Sequence, residues 1–300
     1  MRKPLVASLF ALVITGAGAA PAIAAPEPAA APVKTAVGSV VDTANRTVAD
    51  LAAPAVQAVN FAGTVSLSNC SGSVVRMPAS EDNDPALVMT NGHCLESGFP
   101  DAGEVIVDQA STRTFGLLNS AGTRVATLRA SKIAYGTMTD TDMAVYQLTT
   151  TYAQIKSSYG IDALVYDTAR PAVGTAITVV SGYWKRTYSC AVDGYAYRLK
   201  EGAWTWKDSI RYTSACQTIG GTSGSPVLNN ATGKVVGVNN TGNESGGRCT
   251  DNNPCEVDAT GTVTVRRGIN YAQQTWHVPA CFGVDNKLDL TRSGCILPKP

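Results

Sequence analysis

The chain has 300 residues, 44% hydrophobic and 16% charged, with 28 glycines and 15 prolines, a composition that excludes collagen-like, coiled-coil and wholly disordered chains. Lys and Arg number 24 against 23 Asp and Glu, a net charge of +1, which leaves no basic surface for nucleic acid and no acidic tail. The low charge leaves room for a large core, and the length suits two small domains or one all-β domain.

The chain opens with Met1-Arg2-Lys3, an apolar stretch from Leu5 to Ala20, and the small-x-small triplet Ala22-Ile23-Ala24. These are the three parts of a secretory signal, expected over residues 1–24. A membrane anchor is the rival, but the run is short and carries Ser8, Thr15 and two glycines. No later segment is apolar enough to span a bilayer, so the expectation is an exported, extracellular protein with no membrane association after cleavage. Residues 25–33 are Ala/Pro-rich and read as a flexible leader. Val37, Val41, Ala44, Val48 and Leu51 share one helix face, which predicts a helix over 34–60 ended or kinked near Pro54. Residues 25–60 then read equally as a packing helix or a removable prosegment.

From Phe61 the pattern changes to short runs rich in Val, Ile, Thr and Tyr, bounded by Gly, Asn, Asp and Pro. They include GTVSLS, GSVVRM, ALVMT, EVIVD, RVATLRA, AVYQL, AITVVSGY, YAYRL, SIRYT, SPVL, KVVGVN and TVTVRRGI. With no long amphipathic helix between them, they predict an all-β sandwich or barrels. Ile269 to His277 is expected to form a short C-terminal helix.

Eight cysteines form an even set in an exported chain: Cys70, Cys94, Cys190, Cys216, Cys249, Cys255, Cys281 and Cys295. They are expected as disulfides. Zinc is disfavoured, because the chain holds only His93 and His277 and no C-x-x-C pair, so no metal and no cofactor are expected. Pairing of sequence neighbours is the first expectation. Cys190 and Cys216 stand symmetrically about Ala203, as across a hairpin with arms YAYRL and SIRYT. Cys216–Cys249 stays open as the competitor.

Three segments carry chemistry. Thr90-Asn91-Gly92-His93-Cys94 follows the apolar strand Ala86–Met89, Asp142-Met143-Ala144-Val145 begins another strand, and Gly220-Gly221-Thr222-Ser223-Gly224-Ser225-Pro226 is a glycine-rich turn. A serine hydroxyl needs a base, imidazole titrates near neutrality, and a buried carboxylate can fix its tautomer. The glycine-rich backbone can aim the N–H groups of Gly221 and Ser223 at one oxyanion. Asp140 is the alternative carboxylate. An α/β-hydrolase elbow fails, because G-x-S-x-G would need Gly at position 225 and the chain order differs. His277, beside Trp276, reads as structural.

The order His–Asp–Ser, with T-x-G-H-C, D-M-A-V and G-T-S-G-S-P, resembles the chymotrypsin-like serine peptidases over residues 61–275, and is closer to the bacterial glutamyl-endopeptidase branch than to trypsin. The resemblance implies an all-β fold of two antiparallel six-stranded barrels, about 61–155 and 156–300, with the active site in the cleft between them. It implies His93 as general base, Asp142 as its orienting partner and Ser223 as nucleophile. Cys70–Cys94 resembles the family disulfide that braces the histidine. Thr222 stands where trypsin-like enzymes carry the acid that pairs with a freed N-terminus, so that activation switch is absent. The resemblance also implies a substrate pocket walled by Gln217 and Thr218 on one side and by Asn239, Asn240, Thr241 and Gly242 on the other. An acid is missing at Gln217, which disfavours cleavage after Lys or Arg, and Asn239 replaces the histidine of glutamyl endopeptidases. The implied activity is a secreted, monomeric serine endopeptidase acting on polypeptides. The alternatives are an esterase using the same residues, or a noncatalytic binding protein on the same fold.

Overall fold

Pro85 to Thr90 has no polar face. As a strand its side chains alternate between two sides: Ala86 and Val88 enter one core, Leu87 and Met89 another. A strand of this kind must be covered on both faces, and the fold supplies a barrel interior on one side and a second sheet on the other. The computed structural model describes residues 58–300. The expected signal at 1–24 and nearly all of the leader and helix over 25–60 lie outside the described residues.

The first sheet contains β1 (Thr64–Ser66), β2 (Ser71–Arg76), β3 (Pro85–Thr90), β4 (Val105–Ala110), β5 (Thr114–Leu118), β6 (Arg124–Thr137), β7 (Met143–Thr151) and β8 (Leu164–Val165). β1, β2, β3, β7, β6 and β5 pair in a circuit that returns to β1, a closed six-stranded barrel. β4 pairs with the C-terminal half of β6, and β8 runs parallel to β2; every other pairing is antiparallel. Val65, Val74, Val88, Phe115, Leu117 and Tyr146 fill the interior, each such apolar side chain contributing roughly 1.5–3 kcal/mol. Helix α1 (Tyr152–Tyr159) follows β7. The sequence reading did not anticipate it, although it starts with a Thr151–Gln154 capping box and ends at Gly160 with φ 68°.

The second sheet contains β9 (Ala176–Ser181), β10 (Arg186–Glu201), β11 (Trp204–Tyr212), β12 (Pro226–Asn229), β13 (Val235–Gly242), β14 (Cys255–Val257), β15 (Val263–Val265) and β16 (Asn270–Gln274). β9, β10, β11, β16, β13 and β12 also pair in a circuit, with the β14–β15 hairpin added along β10. Ile177, Val179, Val192, Ile210 and Val236 lie inside it. Between the sheets, Leu87, Met89 and Val145 meet Val180, Leu228 and Val238.

The expected C-terminal helix over Ile269–His277 is not formed. Asn270–Gln274 is a wholly buried strand between β11 and β13. Its polar residues disguised it, yet each has a partner: Asn270 accepts from the Thr218 hydroxyl, Gln273 accepts from the Ser209 hydroxyl, and the Gln274 amide donates to the Asp208 carbonyl. Two short 3-10 turns follow, at Val278–Cys281 and Val284–Asn286. The disulfides join Cys70–Cys94, Cys190–Cys216, Cys249–Cys255 and Cys281–Cys295, so Cys216 does not reach Cys249. Four disulfides suit an extracellular or periplasmic space. No helix among the described residues is long and apolar enough to cross a membrane.

Candidate active site

β3 ends at Thr90 and the chain turns at once into a 3-10 turn, Gly92–Cys94, that carries His93. Gly92 is required by close approach: a Cβ there would lie 2.1 Å from the Thr137 carbonyl oxygen. The Cys70 disulfide anchors the far side of the turn. Asp142 enters from the start of β7 and is fully buried. Its Oδ2 lies 2.7 Å from His93 Nδ1, its Oδ1 accepts the His93 backbone N–H at 3.1 Å, and its carbonyl accepts from Asn91 Nδ2 at 2.8 Å. Burial alone would lower the His93 pKa. The Asp142 charge and hydrogen bond, helped by the charge of Glu201, outweigh it, and the pKa rises above 6.5. Asp140, the other candidate, turns away to pair with Lys207.

Ser223 projects from the loop before β12 into the same cavity of about 260 Å³ that His93 and Asp142 line. Its hydroxyl donates to the Asn240 carbonyl at 3.2 Å, not to His93. The loop's shape depends on Gly224, whose φ is +80° and whose absent Cβ would fall 2.2 Å from the Ser71 carbonyl oxygen. Ser71, at the start of β2, ties down the Ser223 loop from the other sheet. Its N–H donates to the Ser223 carbonyl at 2.8 Å and its hydroxyl to the Gly221 carbonyl at 3.1 Å. The N–H groups of Thr222, Gly224 and Ser225 are used internally, whereas those of Gly221 and Ser223 bond to nothing among the described residues. Two free N–H donors beside a hydroxyl fit an oxyanion site.

The expected substrate wall is only partly formed. Thr218, Asn240, Thr241 and Gly242 line the cavity; Gln217 and Asn239 do not. Gln217 is exposed and donates to the carbonyls of Ser214 and Gly268. Asn239 is buried behind the nucleophile loop, where its amide donates to the Thr222 carbonyl and hydroxyl and its oxygen accepts from Tyr212. The reason is a bulge: β13 shifts register against β16 between Asn239 and Thr241, so Asn240, not Asn239, turns to the cavity.

Sequence reading missed a wall altogether. The β10–β11 hairpin brings Glu201 and Trp204 to the cavity, and Trp206 lines it as well. Trp204 packs edge-on against Phe99, and Phe99 against His93, with centroids 5.7 Å apart in both pairs. Burial pushes the Glu201 carboxyl above its ordinary range, against the neighbouring Thr241 hydroxyl, the Asn252 N–H and the charge of His93. Glu201 gave no local signal, because its role depends on the hairpin's position against a distant loop. Cys70, His93 and Cys94 also gather within 4.8 Å, but both sulfurs are spent in the disulfide and offer no thiolate to a metal.

A search of curated proteins gives no match. Among solved structures, the chain resembles the active form of the Rv3671c protease of M. tuberculosis, at 14% identity over 80% of this chain and 85% of that one, with TM-score 0.46. It also resembles the MamO protease domain of Magnetospirillum magneticum, at 15% identity over 71% and 92%, TM-score 0.44, and the thermostable serine protease AL20 of an extremophilic microorganism, at 17% over 72% and 91%, TM-score 0.42. A family model for the trypsin-like peptidase domain matches residues 70–238, from the cysteine that braces His93 to the strand beyond Ser223. More than half of the sequence thus follows that pattern, and the chain belongs to the trypsin-like peptidase family.

Proposed function

We propose that this peptidase is a secreted serine endopeptidase whose nucleophile is Ser223, whose base is His93 and whose base-orienting carboxylate is Asp142. The observation that carries the reading is the pair of hydrogen bonds that one buried carboxylate accepts from the ring and from the backbone N–H of His93. They fix the ring with its proton on Nδ1 and leave Nε2 free to accept. Rotation about the Ser223 Cα–Cβ bond releases the hydroxyl from the Asn240 carbonyl and presents its proton to Nε2. The oxygen then attacks the substrate carbonyl, and negative charge develops opposite the Gly221 and Ser223 N–H groups. His93 next returns the proton to the leaving amine, and water repeats the sequence to release the acyl group. The Asp142 carboxylate stabilises the imidazolium. The substrate is a polypeptide, the working unit a monomer, and the export signal and four disulfides support secretion.

The test combines a fluorophosphonate probe with mass-spectrometric mapping of digested proteins. Probe mass on Ser223 and internal cuts in denatured polypeptides are expected. Labelling with hydrolysis of simple esters alone would favour the esterase reading; no labelling and no hydrolysis would favour the noncatalytic one.

A further inference from the structure

In trypsin-like enzymes the acid that receives a basic side chain stands at the place of Gln217, and here that residue faces away from the cavity. A carboxylate reaches the cavity by another route. Glu201, the last residue of β10, is 8% exposed. Its Oε1 accepts the Asn252 N–H at 2.7 Å, while its Oε2 is buried, with the Thr241 hydroxyl nearby but no hydrogen bond of good geometry. Across the same cavity, Asn240 is 4% exposed and its side-chain oxygen and nitrogen are both buried and unpartnered, so the amide can turn its oxygen to a cation. A buried carboxylate without a full set of donors is costly, so Oε2 can take a further donor. Glu244 and Asp251 add negative charge at its exposed rim, no Lys or Arg lines it, and none of the three acids makes an ion pair among the described residues. Trp204 and Phe99 flank the approach, a surface suited to an alkyl stem and to a cation over a ring.

The wall is rigid. The Cys249–Cys255 disulfide closes the loop that supplies Asp251 and Asn252, and Cys249 accepts the Gly202 N–H at 2.8 Å. β14 then pairs with β10 through Arg198–Lys200, just before Glu201.

Building on the serine endopeptidase reading, we propose that Glu201 is a specificity-determining residue: with the Asn240 amide oxygen it receives the ammonium or guanidinium of a substrate Lys or Arg close to the scissile bond. Both groups supply only donors, the complement of two unpartnered acceptors. The charge-assisted contact favours a basic side chain by about ten- to hundredfold in kcat/KM over a neutral isostere.

The experiment uses the secreted protein and quenched peptides that differ only in Lys, Arg, citrulline, norleucine or Glu at each of the four positions before the cut. In the wild type, Lys and Arg are expected to lead citrulline and norleucine by about ten- to hundredfold at one position, with Glu the poorest there. In Glu201→Gln that ratio is expected to collapse to within about threefold. Because the readout is a ratio, a change in His93 basicity cancels. If Glu201→Gln fails to fold, the wild-type panel and competition by butylguanidine against the neutral pentanamide decide. Fluorophosphonate labelling and cleavage with a flat Lys-to-citrulline ratio, or an undiminished ratio in folded Glu201→Gln, overturn the assignment to Glu201 and leave the peptidase reading standing. Absence of both labelling and cleavage overturns the peptidase reading and takes this inference with it.

Discussion

Replacing Asp142 by Asn exchanges one acceptor for a donor where the structure requires two acceptors. One oxygen of Asp142 accepts the His93 backbone N–H at 3.1 Å and the other faces Nδ1 at 2.7 Å. If the new amide keeps its oxygen on the backbone N–H, its NH₂ faces Nδ1. Nδ1 must then accept, the ring proton moves to Nε2, and no lone pair remains to take the Ser223 proton. If the amide flips, two N–H groups confront each other in a buried site, at a cost of about 1–3 kcal/mol. The charge that would stabilise the imidazolium is lost in either case. Together these effects are expected to lower kcat by roughly 10⁴, about 5.5 kcal/mol, as in other serine peptidase triads. Burial would then act on His93 with less opposition, so the acid limb of the rate profile should move to lower pH. The assay is kcat against pH on one peptide substrate, with circular dichroism to establish the fold. Asp140→Asn is the control, because Asp140 pairs with Lys207 away from the ring, and it should stay within a few-fold of wild type. A folded Asp142→Asn enzyme with a tenth or more of wild-type activity would refute the reasoning.

Ser223→Ala is expected to reduce turnover by ~10⁶ and abolish fluorophosphonate labelling; a residual rate of even a tenth would assign the nucleophile elsewhere. Asn239→Ala leaves the buried Tyr212 hydroxyl without a partner and removes two bonds to Thr222, whose carbonyl and hydroxyl keep Ser225 and Ile219, and should lower stability by about 1–3 kcal/mol. Thermal melts should show this, with residue preference unchanged on the peptide panel; an unaltered melt with an altered preference would return Asn239 to the substrate wall. Burial lowers the His277 pKa from 6.5 to about 4. The unfolded chain therefore takes up this proton first, and stability should fall between pH 6.5 and about 4 by about 3 kcal/mol. His277→Gln should flatten that fall in urea titrations, and an identical pH dependence in the variant would contradict the assignment. His93 acts in the opposite sense, since its raised pKa gives stability that is present below pH 6.5 and is lost as pH rises through the folded value.

The meeting of His93, Asp142 and Ser223 in one cavity follows from short segments with their own local reasons: a strand end before His93, a strand start at Asp142, a glycine turn at Ser223. The expected wall was legible in part: Thr218, Asn240, Thr241 and Gly242 line the cavity, and Gln217 and Asn239 do not. Side chains alternate along a strand, so Asn239 and Asn240 differ by parity, and the local register shift that decides which of them faces the cavity leaves no mark in the sequence. β16 was hidden because Asn, Gln and Gln read as surface residues until the partners that satisfy them are known. Ser71 and Glu201 act on segments 150 and 51 residues away, contacts that no local pattern records.

The Ser71 brace joins catalysis to the completion of folding. The carbonyls of Gly221 and Ser223 are held by a residue of the first barrel, and His93 and Asp142 come from that barrel as well. A chain whose second sheet has formed alone holds Ser223, the proposed nucleophile, but neither His93, the proposed base, nor the Ser71 groups that hold the Gly221 and Ser223 carbonyls. On the proposed reading, hydrolytic competence therefore requires both sheets in place, because the groups that would act together are drawn from the two of them.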